Sequence, residues 1–135
     1  MFNLFYPYSD WALFVLRLVF GFIFLAHGWP KLKSLKTTAK NFSAMGFKPG
    51  AFWGPLTAIV EFFGGLAVIF GFLMQLAALL FAVEFAVINV WKIAKRQPFI
   101  GNVELDLLLL AAALLLLVFG GGSFSVQYFT LPLWA

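Results

Sequence analysis

Residues 11–28 read WALFVLRLVFGFIFLAHG, an apolar run interrupted only by Arg17 and His27. Its length lies within the roughly 17 to 25 residues that an α-helix needs to cross the hydrocarbon of a bilayer. Three more runs follow: Phe52 to Gly71 with Glu61 inside it, Met74 to Trp91 with Glu84, and Val103 to Phe119 with Glu104 and Asp106. Strands are not expected, because a lone ribbon cannot satisfy its backbone in lipid and these runs lack the polar alternation of a barrel. The chain therefore reads as an all-α membrane protein, a four-transmembrane-helix bundle forming one domain over residues 1–135. Charged residues make up only 10% of it, against about 25% in soluble domains, so the few that fall inside the spans need a reason. An ionisable group at the bilayer centre costs about 2.5 to 3.5 kcal/mol on insertion scales, so such groups should turn inward, toward one another or a ligand.

The breakers stand where the spans should end. Pro30 is expected to close the first span after Gly28, Gly71 punctuates the second, and Gly120, Gly121 and Gly122 end the fourth. Of the nine Lys and Arg residues, five (Lys31, Lys33, Lys36, Lys40, Lys48) lie between spans one and two and three (Lys92, Lys95, Arg96) between spans three and four. The positive-inside rule puts both loops in the cytoplasm and both termini outside, in a bacterial or archaeal cytoplasmic membrane. Phe72 and Leu73 must then make a tight outer turn. No basic segment precedes the first run, and Arg17 and His27 interrupt it, so it reads as a span rather than a cleaved signal peptide. Trp11, Trp29, Trp53 and Trp91 mark span ends as interfacial anchors.

Within the first loop, Leu32, Leu35, Ala39, Phe42 and Met45 recur at helical spacing opposite Lys33, Lys36, Thr37, Lys40 and Asn41. This predicts an amphipathic interfacial helix over residues 32–45, ended by Gly46, with Pro49 and Gly50 turning the chain toward the second span.

The positions of the intramembrane charges suggest how they meet. At 100° per residue, Arg17, Gly21, Phe24 and Gly28 share a stripe of helix one, and His27 lies about 80° to its side. On the second span Thr57, Glu61, Gly64, Gly65 and Val68 share a face, and small residues on both stripes let backbones approach. The two faces are expected to pack together. Both charges sit near mid-span, with depths differing by about 5 to 6 Å, which predicts an Arg17 to Glu61 ion pair. Glu84, also near mid-span, would bring a second carboxylate to the same guanidinium. Glu104 and Asp106 begin the fourth helix behind Asn102, a candidate N-cap, and favourable charge at a helix N-terminus accounts for them unless one faces the centre. Glu104 would then approach His27. A single histidine makes neither a bis-His haem site nor a metal centre, so no metal is expected; a hydrogen-bonded interior histidine or a proton-exchanging contact to a lipid head group remain as readings.

The chain has no cysteine, which removes disulfides, thiol relays and thiolate-bound clusters, so any redox chemistry needs a bound carrier or a partner subunit. The net charge of +4 comes from the two loops and is explained by topology and anionic lipid rather than nucleic acid.

The stretch from Leu16 to Leu32, with Arg17, Gly21, Phe24, His27-Gly28 and then Lys31, resembles the opening helix of the DoxX family. Glu61-Phe62-Phe63-Gly64-Gly65, Gly71 and Gln75-Leu76-Ala77-Ala78 look like its second and third spans, and Glu104 leading into Gly120-Gly121-Gly122-Ser123-Phe124-Ser125 is similar to its end. Together they cover nearly the whole chain. Two positions depart: Gln75 stands where many relatives carry a basic residue, and Gln127 where an Asp commonly follows the Gly and Ser motif. The resemblance implies an inner-membrane four-helix protein related to the DoxD subunit of thiosulfate:quinone oxidoreductase and linked to redox or sulfur metabolism. It supports Arg17, His27, Glu61 and Glu104 as family-like polar positions and offers less for Glu84. An enzyme name carried across on this ground alone would be analogy.

Three functions compete. In the leading one, Arg17, His27, Glu61, Glu84 and Glu104 bind the head group of a quinone-like or other polar-headed lipid, and a cytoplasmic or membrane partner subunit supplies electrons. In the second, a non-catalytic assembly or scaffold subunit uses the buried charges to fix helix register. The third, transport of a small solute or proton, would need a homo-oligomer to widen a four-helix pathway.

Overall fold

The computed structural model describes residues 3–126. A short turn, Tyr6–Tyr8, leads into α1 (Ser9–Lys33), followed by α2 (Leu35–Met45), α3 (Gly50–Phe70), α4 (Met74–Ala94), a kinked turn at Phe99–Val103 and α5 (Glu104–Phe119). Four helical stretches, ending in α1, α3, α4 and α5, are long and apolar enough to cross a membrane. The protein is an all-α, four-helix membrane bundle. Gln127, one of the two departures noted above, lies outside the described residues.

α1 is longer than the expectation that Pro30 would close it. The helix runs through the proline and is broken only at Ser34 (φ −135°, ψ 62°). A proline deprives the carbonyl four residues earlier of its N–H partner but does not end a helix when neighbouring polar groups satisfy the next carbonyls. Here the Thr38 hydroxyl donates to the carbonyls of Lys31 (3.2 Å) and Ser34 (3.0 Å). The extension matters because it makes Lys31 a helical residue rather than a loop residue.

Because Ser34 breaks the chain, α2 starts at Leu35 rather than at residue 32; it ends at Gly46 in the left-handed region, as the sequence suggests. Ala39, Phe42 and Met45 are half-buried and Lys36, Thr37, Lys40 and Asn41 exposed, but Thr38 takes the buried position in place of the exposed Leu35. The helix lies against the first turns of α3, where Gly50 and Gly54 touch the Ala39 backbone. It reaches α4 through Trp91, whose indole N–H donates to the Met45 carbonyl at 2.9 Å.

α1 and α3 form the most extensive helix pair, and α4 and α5 the next. The pairing of α1 with α3 is antiparallel: Gly21 lies against Gly65, and Gly28 against Glu61 and Phe62. The two stripes of small residues thus pack as expected. A Cβ on Gly28 would stand 2.7 Å from the Phe62 backbone nitrogen. Gly28→Ala should therefore force the helices apart and destabilise the bundle by about 1 to 3 kcal/mol, read as a lowered unfolding midpoint in detergent. α4 closes on this pair through an aromatic stack in which Phe24 lies on Phe81 at 3.9 Å, with Phe20 and Phe85 edge-on. Leu109, Ala113 and Leu116 of α5 complete the core. The link from α3 to α4 is as tight as expected: Gly71 (φ 72°), Phe72 and Leu73 (φ 49°). Val15, Val19 and Phe22 on α1 and Leu108, Leu115 and Val118 on α5 point outward, the surface a bilayer would solvate.

Candidate functional site

Arg17 and Glu61 do not pair. Arg17 is only 1% exposed, and its guanidinium is held by three backbone carbonyls: Nε donates to Val68 (3.0 Å), Nη2 to Ile69 (2.7 Å) and Nη1 to Gly121 (3.0 Å). Antiparallel packing puts Arg17 opposite the last turn of α3, where free carbonyls and the negative end of the helix dipole favour a cation. Counting depth from the expected span ends missed this register, because α1 overhangs α3 by two turns at its N-terminal end. Phe14 adds its ring, 5.7 Å from the guanidinium carbon.

The partner of Glu61 is Lys31. Its ammonium donates to both carboxylate oxygens, at 2.7 and 2.8 Å. Glu61 is buried, its side chain 3% exposed, whereas the Lys31 side chain keeps 30% of its surface open. Lysine has three N–H donors and no acceptor, so this fork leaves one donor unspent. Sequence reasoning took Lys31 for a loop cation. The signal that finds it is periodicity: fourteen residues after Arg17, it falls about 40° from the Arg17 stripe.

Glu84 meets them from α4. Its carboxyl lies within electrostatic range of both Glu61 and Lys31. Both its oxygens are shut off from the surface and no N–H or hydroxyl among the described residues donates to them; the Glu61 side chain lies within hydrogen-bond reach, so the contact open to Glu84 inside the protein is a carboxyl proton shared with Glu61. A buried polar atom without a partner is costly, about 1 to 3 kcal/mol, and native structures retain few of them.

The other candidates lie elsewhere. His27 is exposed rather than interior; one helical turn before Lys31, it stands on the same side of α1 at the rim of the cluster. Glu104 is also exposed and does not approach His27; its carboxylate accepts the Gly101 N–H at 2.9 Å, so it serves the start of α5. Asn102 is not the cap, since Val103 occupies that position, and the Asn102 carbonyl instead accepts from Lys92 at 3.3 Å. Asp106 is the acid of α5 that turns inward. It forms an ion pair with Lys92, and the Asn89 amide bridges the Phe85 and Asp106 carbonyls at 2.7 and 3.2 Å.

The five sequence candidates thus resolve into one interior pair, Glu61 and Glu84, joined by the unforeseen Lys31, with His27 at its edge and Arg17 and Glu104 in structural roles. Chemically, the cluster offers a spare Lys31 N–H beside a Glu84 carboxyl that accepts from no donor among the described residues.

Comparison with known proteins bears on the same segment. The family model DoxX matches residues 12–93, a stretch that contains Arg17, His27, Lys31, Glu61 and Glu84. The chain is 34% identical over 97 residues to "Putative oxidoreductase CatD" of Bacillus subtilis (strain 168), an alignment covering 70% of this chain and 69% of that protein. It is 39% identical over 71 residues to "Inner membrane protein YqjF" of Escherichia coli (strain K12), covering 53% of each. No solved structure matches it.

Proposed function

The chain belongs to the DoxX family of membrane proteins, and from that premise we propose that it is a redox-associated subunit binding the head group of a quinone-like lipid at Lys31, Glu61 and Glu84. The observation that carries this reading is the buried carboxyl of Glu84, whose oxygens accept from no donor among the described residues, beside a Lys31 ammonium with one donor unspent. The protein leaves bonding capacity open on both groups, and hydrocarbon supplies no water to the enclosed Glu84 oxygens. A head group that both accepts and donates, as a quinol does, would fill it.

Reduction of a quinone to a quinol takes two electrons and two protons. The chain has no cysteine, so the electrons would come from a second bound carrier or a partner subunit. With such a ligand bound, the Glu84 carboxyl would hold a proton at the head-group oxygen and the Lys31 ammonium would stabilise negative charge there. His27, exposed one turn away, links the cluster to the surface. The relative named an oxidoreductase supports the redox assignment, and the one named an inner membrane protein supports a cytoplasmic membrane. Lys33, Lys36, Lys40, Lys48, Lys95 and Arg96 are all exposed in the two loops that share one end of the bundle, which we assign to the cytoplasmic side.

A register-fixing scaffold explains the Lys31 to Glu61 and Lys92 to Asp106 pairs equally well, and Glu84 separates the two readings. If that carboxyl serves a ligand, Glu84→Met should stabilise the ligand-free protein by about 1 to 3 kcal/mol, because it replaces an unsatisfied polar group with a side chain of similar volume. The same substitution should markedly weaken retention of the reduced lipid through anaerobic purification in detergent, and His27→Ala should weaken it too. A wild-type protein that carries neither quinone nor quinol, or a Glu84→Met protein that melts lower and retains its lipid as the wild type does, would refute the proposal.

A further inference from the structure

The hydrogen-bonding inventory of the cluster goes one step beyond the identity of its ligand, to its oxidation state, and rests on the reading above. Lys31 can offer one more N–H, since two of its three donors are spent on Glu61. The Glu84 carboxyl, in either protonation state, keeps at least one oxygen that only an X–H donor can satisfy. Among the described residues no donor reaches it, so that donor has to arrive with the ligand.

A quinone head group carries acceptors alone. It would take the spare Lys31 N–H and leave a Glu84 oxygen bare. A hydroquinone carries an O–H on the same oxygen that accepts from lysine, so one phenolic group can accept from Lys31 and donate to Glu84 together. We propose that the site selects the reduced, phenolic form of its lipid ligand over the carbonyl-only oxidised form, with Glu84 as the discriminating residue.

The consequence is a bias on the bound couple. A ligand form held more tightly is favoured at equilibrium by its differential affinity, so the site draws a quinone toward reduction; a tenfold preference corresponds to about 30 mV for a two-electron couple.

The test uses the full chain purified in detergent under argon and titrated calorimetrically with decyl-hydroquinone, its dimethyl ether and decyl-benzoquinone. The ether keeps the ring and tail of the first probe and replaces its two O–H donors with O–methyl groups. The hydroquinone is expected to bind about tenfold or more tightly than either of the others, the scale set by a hydrogen bond to a charged or buried polar group. Glu84→Met should bring all three to within about twofold. Glu84→Gln, which adds an amide donor beside its acceptor, should narrow the gap by improving quinone binding. Quinone binding as tight as hydroquinone in the wild-type protein, or full discrimination surviving in both variants, overturns the selection of the reduced form and leaves the quinone site standing. If none of the three probes binds, the quinone site itself is refuted.

Discussion

Lys31→Met should be among the most damaging single substitutions in the bundle, lowering its stability by about 3 to 5 kcal/mol. The reason is not the value of the ion pair, since a buried pair recovers little more than the desolvation of its two charges. It is what remains: the Glu61 carboxylate, 3% exposed, would keep its place against α1 with both oxygens stripped of their donors. The backbone of Glu61 is wedged against Gly28, so the side chain has no easy way out. Denaturant titration in mixed micelles would measure the loss. Reversing the pair, with Lys31→Glu and Glu61→Lys together, should recover more stability than the two single changes predict by addition. A Lys31→Met protein as stable as wild type would mean that Glu61 and Lys31 do not hold each other.

Arg17→Met is the second. It removes the donors to the Val68, Ile69 and Gly121 carbonyls, and an expected loss of about 2 to 4 kcal/mol follows from orphaning acceptors at about 1 to 3 kcal/mol each. The Val68 carbonyl also receives the Gly71 N–H at 3.2 Å, which limits the damage there. Arg17→Lys should rescue only part of it, because an ammonium cannot reproduce the fork of Nε, Nη1 and Nη2. A proposal that Arg17 touches the ligand predicts instead that Arg17→Lys retains the fold and loses binding. Protease resistance of the folded state and ligand titration on the same preparation separate the two.

These two residues also show what a sequence reading can and cannot reach. The glycine stripes around Arg17 and Glu61 were legible because small residues at helical spacing report where backbones approach, and that α1 and α3 pack together followed. Which charge faces which was not. Pairing depends on register, register depends on where each helix begins and ends, and Pro30 was read as an end when the helix continues to Lys33. That one error moved Lys31 into a loop and left Arg17 as the nearest cation. The offset of His27 from the Arg17 stripe was visible as an angle, and the exposed side chain agrees with it. That no donor among the described residues reaches Glu84 could not be read from composition or period at all, because it is a property of what the other helices fail to bring.

The bond from Arg17 to the Gly121 carbonyl spans 104 residues of chain. As the protein emerges from the ribosome, the first helix enters the bilayer long before the carbonyl that completes its guanidinium shell has been synthesised. Lys31 meets Glu61, and Lys92 meets Asp106, within the same or the next helical hairpin, so each of those charges can enter lipid already neutralised. Arg17 cannot, and until the glycines after α5 arrive it depends on two carbonyls and whatever water or head group stays with it. The Arg17 site is thus completed only when the turn after α5 closes over α1, and truncation before Gly121 would leave a nascent chain with α1, α3, α4 and α5 inserted and an unfinished arginine site among them.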